Sequence, residues 1–127
     1  MLIVSFLCPV SLAMAESGVG AEIQALIQSG QLSALHWSRF SDVSKGLARL
    51  YGETPLKALW SKDQQPTPQA LTMVAAFKEA DAAGLIPEDY DAALLQRWSQ
   101  EAKAGFKDVS AEAAYDVALS VAALRFA

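Results

Sequence analysis

The chain has 127 residues, of which 53% are hydrophobic and 19% charged, so it is long enough for one domain and too apolar for a disordered segment. Its 10 basic and 14 acidic side chains give a net charge of −4, which argues against a nucleic-acid-binding protein. The single cysteine excludes an internal disulfide framework and a cysteine-rich zinc site.

The first fifteen residues, 1–15, contain no charged side chain and predict a secretory signal peptide. Their apolar run ends in Ala13-Met14-Ala15, which fits a small-x-small cleavage site. The run is shorter than the ~20 apolar residues of a membrane-spanning helix, so we expect no stable membrane span. We expect export and a mature form that starts at Glu16. No Lys or Arg precedes the run, so either the true start of the protein lies upstream of Met1 or the segment is a buried N-terminal helix.

Two helices are predicted in the first half of the mature chain. Apolar residues recur at helical spacing within Val19–Ser29, and Gly30 is placed to end that helix. A second helix is expected to begin with Ser41 as its N-cap and to end at Gly52. The segment Thr54–Gln65 is interpreted as a connection.

The segment Pro68–Ala83 predicts the helix that we expect at the centre of the fold. Thr67 supplies an N-cap hydroxyl, and Pro68 stands at the first helical position, where its missing N–H costs no hydrogen bond. Gly84 is expected to end the helix in the left-handed conformation, and Pro87 prevents its continuation. The predicted buried stripe consists of Ala70, Met73, Val74 and Phe77.

Two further helices complete a predicted all-α fold, a compact bundle of about five helices after the signal segment. The fourth is expected from near Asp91 to before Gly105, and the fifth from Asp108 or Ser110 to the C-terminus. The last helix carries apolar residues on more than one face. We therefore expect part of Tyr115–Ala127 to stay uncovered and to self-associate. Since no helix terminator follows, we expect the domain to be truncated at its C-terminus.

The sequence carries no catalytic, cofactor-binding or metal-binding pattern, and we expect none of these sites and no cofactor. His36 is the only histidine, which excludes an H-E-x-x-H motif, and we interpret it as a partly buried, hydrogen-bonded side chain. The carboxylates of Glu88, Asp89 and Asp91 precede the fourth helix. We interpret them as capping that helix and favouring its positive dipole end, not as an acid/base pair.

Aromatic side chains are the remaining candidates for binding, because their flat faces can stack on sugar rings. Tyr51 and Trp98 lie on apolar helix faces and are interpreted as core. Trp60 and Tyr90 lie in connections, so we expect them to be exposed and to be the candidate contact residues.

A series of short motifs occurs in order along the chain. The most specific is the Gly-Leu-x-Pro-Glu-Asp-Tyr stretch at Gly84–Tyr90. The others are Leu50-Tyr51, Pro55, Leu59-Trp60, Pro66–Leu71, Glu79–Asp81 and Tyr115–Ser120. Together they resemble the N-terminal scaffold domain of the large murein L,D-transpeptidases, which cross-link peptidoglycan in the bacterial periplasm. The resemblance covers residues 33–127, within a predicted domain of residues 16–127.

The resemblance implies a non-catalytic scaffold segment of a protein that acts in peptidoglycan cross-linking and cell-wall biogenesis. In that family a later domain carries the cysteine and histidine of a His…Ser-x-Gly-Cys-x-Arg type motif, and the full-length protein is an acyltransferase. Cys8 lies in the predicted signal and His36 near the start, so neither takes those roles.

The implied partners are a catalytic transpeptidase domain and peptidoglycan, and the implied location is the periplasm or cell envelope. Trp60 and Tyr90 are then the candidates for wall or partner contact. Two alternatives stay open. One is a free-standing peptidoglycan-binding module: its central helix is similar to the local pattern of Thr67–Ala70, Phe77 and Gly84-Leu85 in this chain. The other is a periplasmic helical interaction protein without wall affinity.

Overall fold

The computed structural model describes residues 18–52 and 56–126. These residues form five α-helices, three short 3₁₀ helices and one two-stranded hairpin, which confirms the predicted all-α fold class. The predicted signal segment, residues 1–15, lies outside the described residues. None of the helices in residues 18–52 and 56–126 combines the length and the apolar character needed to cross a bilayer.

The elements, in chain order, are α1 at residues 18–29, a 3₁₀ helix at Ser41–Val43, α2 at Ser44–Tyr51, β1 at Ser61–Lys62, β2 at Gln65–Pro66, α3 at Pro68–Lys78, 3₁₀ helices at Ala80–Ala83 and Pro87–Tyr90, α4 at Ala92–Glu101 and α5 at Val109–Phe126. The two strands are antiparallel, and Ser61 pairs with Pro66. This hairpin lies within and just after the predicted connection Thr54–Gln65, where no strand was expected.

The longest helix, α5, lies at the centre of the fold. Helices α2, α3 and α4 and two of the 3₁₀ helices all pack against it, and residues 115–122 are buried on every side. The expectation that Pro68–Ala83 forms the central helix is therefore wrong. The expectation that α5 lacks cover is also wrong for residues 115–122, because the 3₁₀ helices supply neighbours that a count of α-helices leaves out.

Helix α3 ends earlier than predicted, at Lys78 instead of Ala83. After Glu79 the chain tightens into the 3₁₀ helix Ala80–Ala83, and Gly84 follows in the predicted left-handed conformation with φ 81°. The N–H of Leu85 donates to the Ala80 carbonyl at 3.0 Å, and the N–H of Gly84 donates to the Asp81 carbonyl at 3.0 Å. These are the two hydrogen bonds of a Schellman motif, so the predicted stop signal acts at the predicted residue.

The predicted N-cap is confirmed at α3 and wrong at α2. Thr67 Oγ1 accepts a hydrogen bond from the Ala70 N–H at 3.1 Å. Ser41 instead begins a 3₁₀ helix, and α2 starts at Ser44 without a side-chain cap. At the start of α5, Asp108 Oδ1 accepts from the N–H of Ala111 at 2.8 Å, as expected of an N-cap.

Helix α1 approaches the chain after α2 at backbone distance. A Cβ atom on Gly20 would lie 2.1 Å from the carbonyl oxygen of Leu56, which is closer than any side chain allows. One turn further along α1, Ile23 is fully buried in the core. The absence of a side chain at Gly20 therefore sets how deeply α1 packs.

We expect Gly20→Ala to destabilise the fold by about 1–3 kcal/mol, since the methyl group must push two backbone segments apart. Gly18→Ala is the matched control on the same helix, because its Cβ would meet the Val109 side chain at 3.6 Å, an ordinary contact. Alanine there is expected to be neutral or to stabilise by up to about 1 kcal/mol. Urea denaturation measures both, and equal stability of the two variants would contradict the packing argument.

The predicted self-association through Tyr115–Ala127 is tested at Leu124, which packs against α2. A Cβ on Gly46 would lie 3.0 Å from Leu124 Cδ2. We expect Leu124→Glu to cost the monomer about 2–4 kcal/mol, because a charged group replaces a packed apolar one. Light scattering on the same samples measures association. A wild type that forms oligomers, together with a folded Leu124→Glu variant that is monomeric, would support self-association. Monomers of both proteins would contradict it.

Candidate functional site

Trp60 and Tyr90, the two predicted contact residues, pack against different parts of α5. Trp60 is half-buried, and its Nε1–H donates to Ser120 Oγ at 2.9 Å. Tyr90 is only 9% exposed, with its ring 6.0 Å from that of Phe77 and 5.2 Å from that of Phe126. The expected exposure of Tyr90 is wrong, because its 3₁₀ helix packs against α3 and α5 and turns the ring inward. A role in wall or partner contact stays a prediction for both residues.

Trp60 belongs to a buried polar cluster made of Tyr51, Trp60, Asp116 and Ser120. Asp116 Oδ1 accepts from the backbone N–H of Leu59 at 2.9 Å and of Trp60 at 2.8 Å. Asp116 Oδ2 accepts from the Tyr51 hydroxyl. That donation uses the single phenolic proton, so the Ser120 hydroxyl, 2.9 Å away, donates to Tyr51. The cluster joins α2, the segment before β1 and the middle of α5.

Burial governs the ionisation of this cluster. It raises the pKa of Asp116 above its usual range, and the hydrogen bonds from Tyr51, Trp60 and Leu59 only partly oppose it. Burial, followed by the neighbouring Asp116 carboxylate, raises the pKa of the Tyr51 hydroxyl far above its usual range. The protonated Tyr51 hydroxyl therefore serves as a hydrogen-bond donor to Asp116, and the cluster holds α2, the segment before β1 and α5 together.

The raised pKa of Asp116 makes its contribution to stability depend on pH. Between the unfolded value of 3.8 and the higher folded value, the folded chain binds more protons than the unfolded chain. The contribution is therefore full below 3.8 and is lost as pH rises through the folded pKa.

We expect the unfolding free energy of the wild type, minus that of Asp116→Asn, to fall as pH rises above about 4. Asp42 and Asp91 titrate in both proteins, so their effects cancel in this difference. Urea denaturation at a series of pH values measures it, and a difference that stays flat or moves in favour of the wild type would contradict the raised pKa.

A second group of polar residues lines an open cleft of about 430 Å³ at the C-terminal end of α5. We name it the Arg125 cleft, and its lining residues are Trp37, Arg39, Asp42, Asp89, Tyr90 and Arg125. It brings together the segment before α2, the Pro87–Tyr90 helix and the last turn of α5. Tyr90 is thus the one predicted contact residue that lies at this cleft.

Arg125 organises the cleft through four acceptors. Its Nε donates to Asp42 Oδ2 at 3.1 Å and its Nη2 to Asp42 Oδ1 at 3.0 Å. The same guanidinium donates to the carbonyl oxygens of Trp37 at 3.3 Å and Arg39 at 3.0 Å. The hydrogen bonds from Arg125 hold the pKa of the Asp42 carboxyl below its usual value. Arg125 therefore fastens the segment before α2 to the end of α5.

Trp37 is the exposed aromatic residue of the cleft, with 55% of its surface accessible. Its Nε1–H donates to Asp89 Oδ1 at 3.2 Å. The imidazole of His36 meets the indole edge to face at 4.8 Å. His36 is itself exposed, so its interpretation as a partly buried side chain is wrong. The indole of Trp37 therefore has a hydrogen-bond partner and a ring contact while much of it faces solvent.

Asp91 takes a role other than the predicted helix cap. Its backbone is left-handed, with φ 54° and ψ 38°, and no side-chain cap bond forms at α4. The carboxylate instead accepts from the backbone N–H of His36 at 2.8 Å, across 55 residues of chain. Burial raises the pKa of this carboxyl. Asp91, at the start of α4, thus holds the backbone of His36, while Arg125, at the end of α5, holds the carbonyl of the next residue, Trp37.

Both carboxylates that line the Arg125 cleft are engaged in hydrogen bonds. The carboxylate of Asp42 is engaged by Arg125 and that of Asp89 by Trp37. Within residues 18–52 and 56–126, no group of three or more His, Cys, Asp or Glu is placed to hold a metal ion. Sequence reasoning missed Trp37 as a surface residue, although its position in a segment without helical periodicity was a usable signal.

A family model described as Scaffold domain matches residues 45–127. No curated protein and no solved structure gives a significant match. The match includes the buried polar cluster and the Asp89, Tyr90 and Arg125 part of the cleft. Buried side chains that precede it, including Ile23 and Phe40, belong to the same hydrophobic core, so residues 18–44 are part of this folded unit.

Proposed function

Since the chain belongs to the Scaffold domain family, we propose that it is a non-catalytic scaffold segment of an L,D-transpeptidase-like protein. In this proposal it acts in peptidoglycan cross-linking and cell-wall biogenesis by holding a catalytic transpeptidase domain. The order of motifs from Leu50 to Ser120 supports the choice of parent protein. The observation that carries the proposal is an exposed apolar surface beside the Arg125 cleft.

This surface consists of Trp37 and Ile86, which are 55% and 58% exposed. Both adjoin Asp89: the indole of Trp37 donates to its carboxylate, and its N–H donates to the Ile86 carbonyl at 3.0 Å. An apolar centre beside polar groups is the usual anatomy of a protein interface. Tryptophan is also among the residues that most often carry binding energy there.

The Trp37 surface is organised before any partner binds. Arg125 holds the carbonyl of Trp37, Asp89 holds its indole nitrogen, and Asp91 holds the N–H of the preceding residue. Binding therefore requires little ordering of this segment, which lowers the entropic cost of association.

The location of the cleft fits the proposed partner. The cleft lies at the C-terminal end of α5, where Arg125 is in the last turn. In the proposed parent protein the catalytic domain follows the scaffold in the chain. A domain tethered at this end of α5 would start beside the cleft, and the tether itself would raise its effective concentration there.

The test of this function is binding to a separately expressed catalytic L,D-transpeptidase domain from the same genome, measured by calorimetry. We expect Trp37→Ala to weaken binding by about 2 kcal/mol, or roughly thirtyfold, because the substitution removes the central anchor. Leu71→Ala is the matched control, since Leu71 is 47% exposed on α3 and does not line the cleft. Absence of binding by the wild type, or equal loss in both variants, would overturn the proposal.

The proposed location is the periplasm or cell envelope, supported by the signal-like segment 1–15. When the protein is expressed in a bacterium with an outer membrane, we expect the periplasmic fraction to contain a form that begins at Glu16. Intact-mass spectrometry identifies the N-terminus. Recovery only in the cytosol with Met1 retained would contradict export.

A further inference from the structure

A groove of about 460 Å³ runs between the end of α4 and the beginning of α5, away from the Arg125 cleft. Its lining residues are Trp98, Glu101, Ala102, Phe106, Lys107, Asp108, Ser110, Ala111 and Ala114. None of them lines the Arg125 cleft. The volume lies in the range of ~300–1,000 Å³ that is typical of small-molecule sites.

The groove combines aromatic sides with a shallow apolar floor. Trp98 and Phe106 both line the groove, and each is half-buried. Three alanines also line the groove, Ala102, Ala111 and Ala114, and we call these small side chains its floor. Small residues between two aromatic ones leave room for a flat group to lie against the rings.

One wall of the groove is rigid. The ring of Phe106 packs against that of Tyr115 at 5.2 Å, and Tyr115 is fully buried. The Tyr115 hydroxyl lies 2.7 Å from Ser99 Oγ, which donates to the Leu95 carbonyl. The backbone N–H of Phe106 also donates to the Gln64 carbonyl at 2.9 Å. The Phe106 ring is therefore preorganised for a ligand.

The rim of the groove carries groups of both charges. Glu101 and Asp108 supply carboxylate acceptors, Lys107 supplies an ammonium donor, and Ser110 supplies a hydroxyl that can do either. Asp108 uses Oδ1 for the cap of α5. A rim of mixed sign complements a neutral ligand with many hydroxyl groups better than it complements an anion or a cation.

We infer that this groove binds a neutral pyranose ring of a glycan. The apolar C–H face of the sugar lies against Trp98 and Phe106, and the hydroxyl groups at the ring edge reach the polar rim. An aliphatic chain would fill the floor and leave the rim without partners. The inference deepens the proposed function, on which the choice of an N-acetylated glycan as the probe rests.

The experiment is a titration of the folded chain with chitotetraose, an N-acetylglucosamine oligomer without peptide, followed by ¹H–¹⁵N NMR. We expect a saturable shift of the Trp98 indole resonance with a Kd on the order of 1 mM, since one stacked ring and a few exposed hydrogen bonds give weak binding. Ala111→Leu fills the floor but keeps both aromatic rings, and it should weaken binding at least tenfold. Ser110→Leu, at an exposed rim position, obstructs the groove with an aliphatic side chain, adds no aromatic ring, and gives the same test without touching the core.

Trp37→Ala is the matched control and should leave sugar binding unchanged. If this variant no longer binds the separately expressed catalytic domain but still binds the sugar, the two sites are separate. Either proposal can therefore fail without the other. The inference is overturned if chitotetraose causes no saturable shift of Trp98. It is also overturned if both groove variants bind as tightly as the wild type, or if hexanol shifts the Trp98 resonance and the sugar does not.

Discussion

The carboxylate of Asp116 sits fully buried in the middle of α5, and the arrangement of the elements around α5 depends on it. Three donors from outside the helix converge on it: the Tyr51 hydroxyl and the N–H groups of Leu59 and Trp60. Removing the carboxylate would leave the buried Tyr51 hydroxyl and the two backbone N–H groups without their acceptor, while removing the donors would leave a buried carboxyl without its hydrogen bonds. Neither side can therefore move independently of the other. This coupling fixes α2 and the segment before β1 on one side of α5.

Helix α5 also connects the two surfaces to which we assign functions. Its first turn borders the α4–α5 groove, and its last turn carries Arg125. Between them the helix is buried all round, so its ends are the parts that meet solvent. A helix of 18 residues is about 27 Å long, and its packed middle holds the two sites near its ends at a fixed separation. That geometry suits a scaffold, which must hold one partner in a set position relative to another.

The helices that depend on local chemistry were predictable from the sequence. Thr67 and Gly84 act through hydrogen bonds to residues within five positions, and both were identified. The tightening at Ala80–Ala83 was missed because 4 residues are too few to distinguish about 3.0 residues per turn from about 3.6. The central place of α5 was also missed. Its apolar surroundings were visible in the sequence, but the number of neighbours covering it was not.

The sequence by itself determined the fold class, most helix positions and the resemblance to the scaffold family, because periodicity, caps and motif order are local properties of the chain. The tertiary structure alone decided which polar and aromatic residues face solvent. Tyr90 is buried and Trp37 exposed, although both occur in segments without helical periodicity. Asp116 and Asp91 find their donors 55 or more residues away. Such pairings depend on how distant segments meet, and no local pattern encodes them.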